Sequence, residues 1–408
     1  MASSSFHCLL FCSSLFHFFV VPSLAKTASF RPKALVLPVA KDSSTLQYLT
    51  TFSQRTPFVP IKLTVDLGGR YLWGGLRLAA TPPNTHSQTP KSCTTECYSS
   101  PKPGCNNTCA LSPGNTITRT STGGDLGQDT VSLQSTDGSN PGRLVSVPNL
   151  LFTCGPTFLL EGLASGVKGM AGLGRDKIGL PSQFASAFSL PRKFAICLSS
   201  SSKSSGVVIF GDRPYTLFPN IEVSKSLTFT PLIINPVSTA GAYFQGEPSV
   251  GYFINVKSIK VNGKVVALNT SLLAIDNEGY GGTNISTVNP YTVLETSIYN
   301  AVVNAFVKEV AYKIPRVKAV APFGTCFSSK NIGVTRVGHS VPSIDLVLQS
   351  ESVYWTINDV LCLGFADGGE RPRTSIVIGG SLPGIMIVSK LQRVFQNEEI
   401  YENFKFCI

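Results

Sequence analysis

The chain has 408 residues, 43% hydrophobic and only 14% charged, with 34 lysines and arginines against 23 aspartates and glutamates for a net charge of +11. That apolar content supplies cores for two domains and excludes a disordered chain. The cations are scattered and not clustered among aromatics, which argues against nucleic acid and for an anionic partner such as acidic wall polysaccharide.

Phe6 to Val21 form an apolar run followed by Pro22-Ser23-Leu24-Ala25, with small residues at Ser23 and Ala25. Residues 1–25 are therefore expected to be a secretory signal peptide cut after Ala25, and the run is too short to anchor the chain in a membrane. Removing it leaves nine of the eleven cysteines: Cys93, Cys97, Cys105, Cys109, Cys154, Cys197, Cys326, Cys362 and Cys407. In an oxidising compartment most should form disulfides, and the odd count leaves a thiol over. The spacings from Cys93 to Cys109 are not those of a zinc finger or ribbon, so neither metal nor cofactor is expected. Asn106, Asn269 and Asn284 each open an Asn-x-Ser/Thr triplet and are candidate glycosylation sites.

Short runs rich in Val, Ile, Phe, Leu and Thr, punctuated by Gly, Pro, Ser and Asn, predict an all-β protein. Examples are Phe194–Leu198 and Gly206–Phe210, joined by a serine-rich turn, then Tyr252–Val256 and Val341–Leu348. Helical spacing of apolar residues predicts a helix over Ser297–Tyr312, and Leu180–Phe188 reads as a shorter one. The Pro-rich stretch from Ser224 to Pro248 marks a change of lobe, with an N-terminal β lobe over 26–230 and a C-terminal one over 231–408.

Two loops carry the chemistry. The first reads Val65-Asp66-Leu67-Gly68-Gly69-Arg70-Tyr71-Leu72-Trp73, the second Gly281-Gly282-Thr283-Asn284-Ile285-Ser286-Thr287-Val288-Asn289-Pro290-Tyr291-Thr292-Val293-Leu294. Taken singly, each is a tight strand-to-strand turn. In order along the chain with Gly124–Val131, Gly166–Gly174 and Ser375–Gly380, they resemble the landmarks of the pepsin-like aspartic proteases. That resemblance implies an all-β, bilobal pepsin-like fold and makes Asp66 and Ser286 the two catalytic positions, with serine in place of the second aspartate. Such enzymes need two carboxylates sharing one proton, so the resemblance implies a vestigial dyad and no peptidase activity. Counting back from Gly124 puts Ile117 where the flap tyrosine would stand.

The runs Pro103-Gly104-Cys105-Asn106-Asn107-Thr108-Cys109, Gly169-Met170-Ala171-Gly172-Leu173-Gly174-Arg175 and Leu180-Pro181-Ser182-Gln183-Phe184 narrow the resemblance. They are similar to the branch holding plant extracellular dermal glycoproteins, basic seed globulins, and xylanase and xyloglucanase inhibitors. The branch implies a secreted, apoplastic protein that binds and inhibits microbial endoglucanases or xylanases in plant defence. Arg316, in Lys313-Ile314-Pro315-Arg316-Val317-Lys318, would then be the inhibitory cation offered to a catalytic carboxylate pair. The same resemblance implies the bridges Cys326–Cys362 and Cys197–Cys407, with Cys93, Cys97, Cys105 and Cys109 paired elsewhere. Two other readings stay open: an active aspartic endopeptidase, which needs another carboxylate near Ser286 such as Asp276, and a storage or wall globulin that binds a peptide.

Overall fold

The computed structural model describes residues 30–75, 110–199, 201–218, 221–222, 229–241, 245–310, 313–328, 330, 332–335, 338–350, 353–357, 362–380, 386–390 and 403–405. Residues suited to extended chain set the first strands, Ala34–Lys41 and Tyr48–Gln54, whose later positions alternate between buried and exposed, and a tight turn returns the chain as Val59–Asp66. The buried side chains of these strands, Leu35, Leu37, Phe52 and Leu63 among them, belong to the main hydrophobic core.

The first sheet has 11 strands and curls so that Ala34–Lys41 and Tyr48–Gln54 both pair with the long Gly124–Thr136 strand as well as with each other. A 7-stranded sheet carries Tyr252–Ile254, Thr283–Ile285, Ile376–Ile378, Thr292–Leu294 and Phe365–Asp367, and a 4-stranded sheet adds Ser258–Val261 and Ile344–Ser350. The expected hairpin of Lys193–Cys197 with Gly206–Phe210 is present. On its other side Lys193–Cys197 pairs with Met386–Lys390, so the chain returns late to the first sheet. Strand Phe229–Ile233, by contrast, lies in the 7-stranded sheet.

Both helices form where apolar periodicity predicts them. Leu180–Phe188 starts with proline in its first turn and ends at Ser189 in the left-handed conformation. Thr296–Val310 is opened by the Glu295 carboxylate, which accepts from the Ser297 and Ile298 amides. Its Ile298, Val302, Phe306 and Val310 are buried, and Phe306 packs against Phe327. The two large sheets share one core: Phe194 meets Tyr252 edge-on at 5.9 Å, and the Tyr252 hydroxyl donates to the Leu173 carbonyl at 2.7 Å.

Candidate functional site: a mismatched pair of loops

Each of the two loops is made by the same arrangement of four strands. In the first, Gly169–Gly172 runs parallel to Val59–Asp66 and antiparallel to Trp73–Gly75, which itself runs parallel to Pro141–Gly155. In the second, Ile376–Ile378 runs parallel to Thr283–Ile285 and antiparallel to Thr292–Leu294, which runs parallel to Phe365–Asp367. The registers Ala171 with Val65 and Ile378 with Ile285 make Asp66 and Ser286 counterparts. The match extends five residues on. A Cβ on Gly172 would stand 2.4 Å from the Tyr71 carbonyl, and one on Gly379 would stand 2.2 Å from the Tyr291 carbonyl. Only glycine allows backbone that close.

Asp66 is 2% exposed. Its carboxylate accepts from the Gly68 amide at 3.1 Å and from the Thr116 hydroxyl at 2.8 Å. Burial pushes its pKa up from 3.8 to about 6, against the lowering pull of those hydrogen bonds and of the Gly69 amide. Among the described residues, no second carboxylate hydrogen-bonds Asp66 or contributes to that shift.

Ser286 has kept the loop-building half of an aspartate's work. Its hydroxyl oxygen accepts from the Val288 and Asn289 amides, at the same two and three residues onward that Asp66 uses, and its proton goes to Asn289 Oδ1 at 2.9 Å. A serine can therefore hold this turn without carrying a charge. Asp276, the alternative acid, is exposed and accepts from the Glu278 and Tyr280 amides of its own turn, so its carboxylate is spent there.

Thr287 ties the loops together. Its hydroxyl donates to the Val65 carbonyl at 2.7 Å and accepts from the Leu67 amide at 2.9 Å. The reciprocal half is missing, because Leu67 has no hydroxyl to return the pair.

Over Asp66 lies a small hairpin, Gly114–Asn115 with Thr120–Ser121. Asn115 fixes it: its Nδ2 donates to the Leu159 and Glu161 carbonyls, and its Oδ1 accepts from the Ile117 and Thr118 amides. Ile117 packs beside Trp73, Leu159 and Met170. The residue that reaches the acid is its neighbour Thr116. Sequence reasoning missed Thr116, since a lone hydroxyl in a Thr-rich stretch carries no motif.

Arg316 is exposed on the short strand Arg316–Val317, which pairs with Cys326–Phe327. Cys326 is bonded to Cys362, as the resemblance implied. Cys407, Cys93, Cys97, Cys105, Cys109 and Asn106 lie outside the described residues, so the bridges expected of those cysteines, including Cys197–Cys407, and the glycan expected at Asn106 do too. Asn269 is exposed, with its Oδ1 accepting from Ser271. Asn284 is half-buried on a strand paired on both sides, with its Oδ1 shut away from solvent. Among the described residues no cluster of His, Cys, Asp or Glu could hold a metal, and no helix is long and apolar enough to cross a membrane.

Fold and paired loops together define an aspartic-proteinase-like protein. The aspartic proteinase of Irpex lacteus shares the fold with a TM-score of 0.52 at 15% identity, over 92% of this chain and 97% of that one. The xylanase inhibitor N-terminal model matches residues 48–212 and the xylanase inhibitor C-terminal model residues 251–383. A probable aspartic proteinase GIP2 of Nicotiana benthamiana is 59% identical, covering 93% of this chain and 91% of its own. Two solved structures are similar: edgp, with a TM-score of 0.83 at 55% identity over 93% of this chain and 95% of that one, and basic 7S globulin from soybean, at 0.73 and 34% over 92% and 94%. The chain belongs to the xylanase-inhibitor-like family of aspartic-proteinase-like proteins and seed globulins.

Proposed function

We propose that this protein is secreted, has no peptidase activity, and binds and inhibits microbial glycoside hydrolases of the xyloglucanase or xylanase type. One observation carries the reading. Arg316 stands exposed on a hairpin stapled by Cys326–Cys362 and has no carboxylate partner among the described residues, so its guanidinium is available to a partner's acids. A glycoside hydrolase keeps a carboxylate pair at the bottom of an open cleft, the chemistry that a protruding guanidinium recognises.

The paired loops support the catalytic silence in this reading. Among the described residues Asp66 has no carboxylate partner, and the Ser286 proton is engaged with Asn289, an arrangement unsuited to sharing a proton across a water. The net charge of +11 favours retention in an anionic wall matrix after export by the leader of residues 1–25.

The test is direct. Purified protein is added to microbial xyloglucan-specific endoglucanases and xylanases, and sugar release is measured. Wild type should suppress at least one enzyme, and Arg316→Ala should restore it. Undiminished sugar release across the panel removes the reading. A peptidase assay at acid pH checks the silence, because one relative bears the name of a probable aspartic proteinase.

A further inference from the structure

From Val317 to Thr325 the chain leaves the hairpin as an exposed loop. Lys318 through Pro322 and Gly324 all face solvent, and Val317 and Val320 are 49% and 60% exposed. Such a loop needs an anchor to hold one shape, since each ordered residue costs about 1 to 2 kcal/mol in backbone entropy. At its base the Ser328 amide donates to the Pro315 carbonyl, and at its tip the Phe323 amide donates to the Val320 carbonyl. Phe323 is the one half-buried side chain between Val317 and Thr325. Its ring meets Tyr291 edge-on, with centroids 4.6 Å apart and planes at 74°. Tyr291 is the fifth residue after Ser286, and its carbonyl is packed against Gly379.

We infer that Tyr291, a residue of the second vestigial loop, is a positioning residue that holds the Arg316 loop in its presenting shape through Phe323. The inference rests on the proposed function for its purpose, though not for its structural content. The second loop gave up its catalytic acid and kept a rigid frame: Ser286, Thr287 and Gly379 fix the backbone from which Tyr291 projects. That frame then supports a binding loop. The aromatic contact needs only the ring, so Tyr291→Phe should behave as wild type, whereas Tyr291→Ala and Phe323→Ala should each release the tip.

Limited trypsin digestion reads this without any partner. Mass spectrometry follows cleavage after Arg316 and after Lys318. Tyr291→Ala should be cut several-fold faster than wild type at unchanged melting temperature, with Tyr291→Phe restored, and its inhibition of a responsive glucanase should weaken roughly tenfold, the order of strength of an aromatic pair. Phe323→Ala repeats the measurement from the loop side should Tyr291→Ala fold poorly. Cleavage at the wild-type rate in both alanine variants overturns the inference. A wild type that inhibits no hydrolase overturns the proposed function alone, and the digestion still decides whether Tyr291 anchors the loop.

Discussion

Thr287 and Val65 are joined by a 2.7 Å hydrogen bond across 222 residues of chain, and the same hydroxyl receives the Leu67 amide. Thr287 is 3% exposed and Val65 1%, so nothing else can satisfy these groups once the hydroxyl is removed. Thr287→Val keeps the shape and strands a buried amide and a buried carbonyl. The expected loss is about 2 kcal/mol, read as a lower denaturant midpoint at unchanged slope.

Asp66 should make stability depend on pH in an unusual direction. Its folded pKa of about 6 lies above the ordinary 3.8, so the folded protein holds this proton more firmly than the unfolded chain does. The associated stability is fully present below about pH 4 and is lost as pH rises through about 6, amounting to roughly 3 kcal/mol. Asp66→Asn imitates the neutral acid. It should be the more stable protein at pH 7, with the advantage fading by about pH 4. An advantage that stays constant over that range would contradict the buried, lone-acid description.

Arg316→Ala should leave the unfolding free energy within about 0.5 kcal/mol of wild type, because the side chain is exposed and has no bonded partner among the described residues. Loss of inhibition in that variant therefore reports binding and not folding. Raised salt should weaken the wild type's association in the same assay.

In material expressed through a secretory pathway, glycopeptide mapping should find Asn269 occupied and Asn284 bare. Asn269 caps an exposed 3-10 turn, while Asn284 sits in a central strand. A glycan on Asn284 would require that strand to be open when the sugar is attached.

The two loops were legible because a residue type missing from a motif is visible without coordinates: serine cannot be mistaken for aspartate, nor Leu67 for a hydroxyl. Helix Leu180–Phe188 and the Phe194–Phe210 hairpin were legible from periodicity and the serine-rich turn. Thr116 and the Tyr291–Phe323 pair were not, because they depend on the distance between segments far apart in sequence. Asn284 illustrates the same limit: its triplet satisfies the sugar-transfer pattern, and only the structure reveals that it lies on a strand paired on both sides. Sequence placed Ile117 at the flap tyrosine's position, in the turn of the small hairpin beside Trp73, but gave no sign that its neighbour Thr116 reaches the acid.

The late return of Met386–Lys390 to Lys193–Cys197 has a practical consequence. A fragment ending near residue 230 would leave the amides and carbonyls of Lys193–Cys197 on one side open to any other extended chain, a template for clumping. Preparations for biophysics should therefore keep both portions on one polypeptide, or supply the missing strand as a peptide.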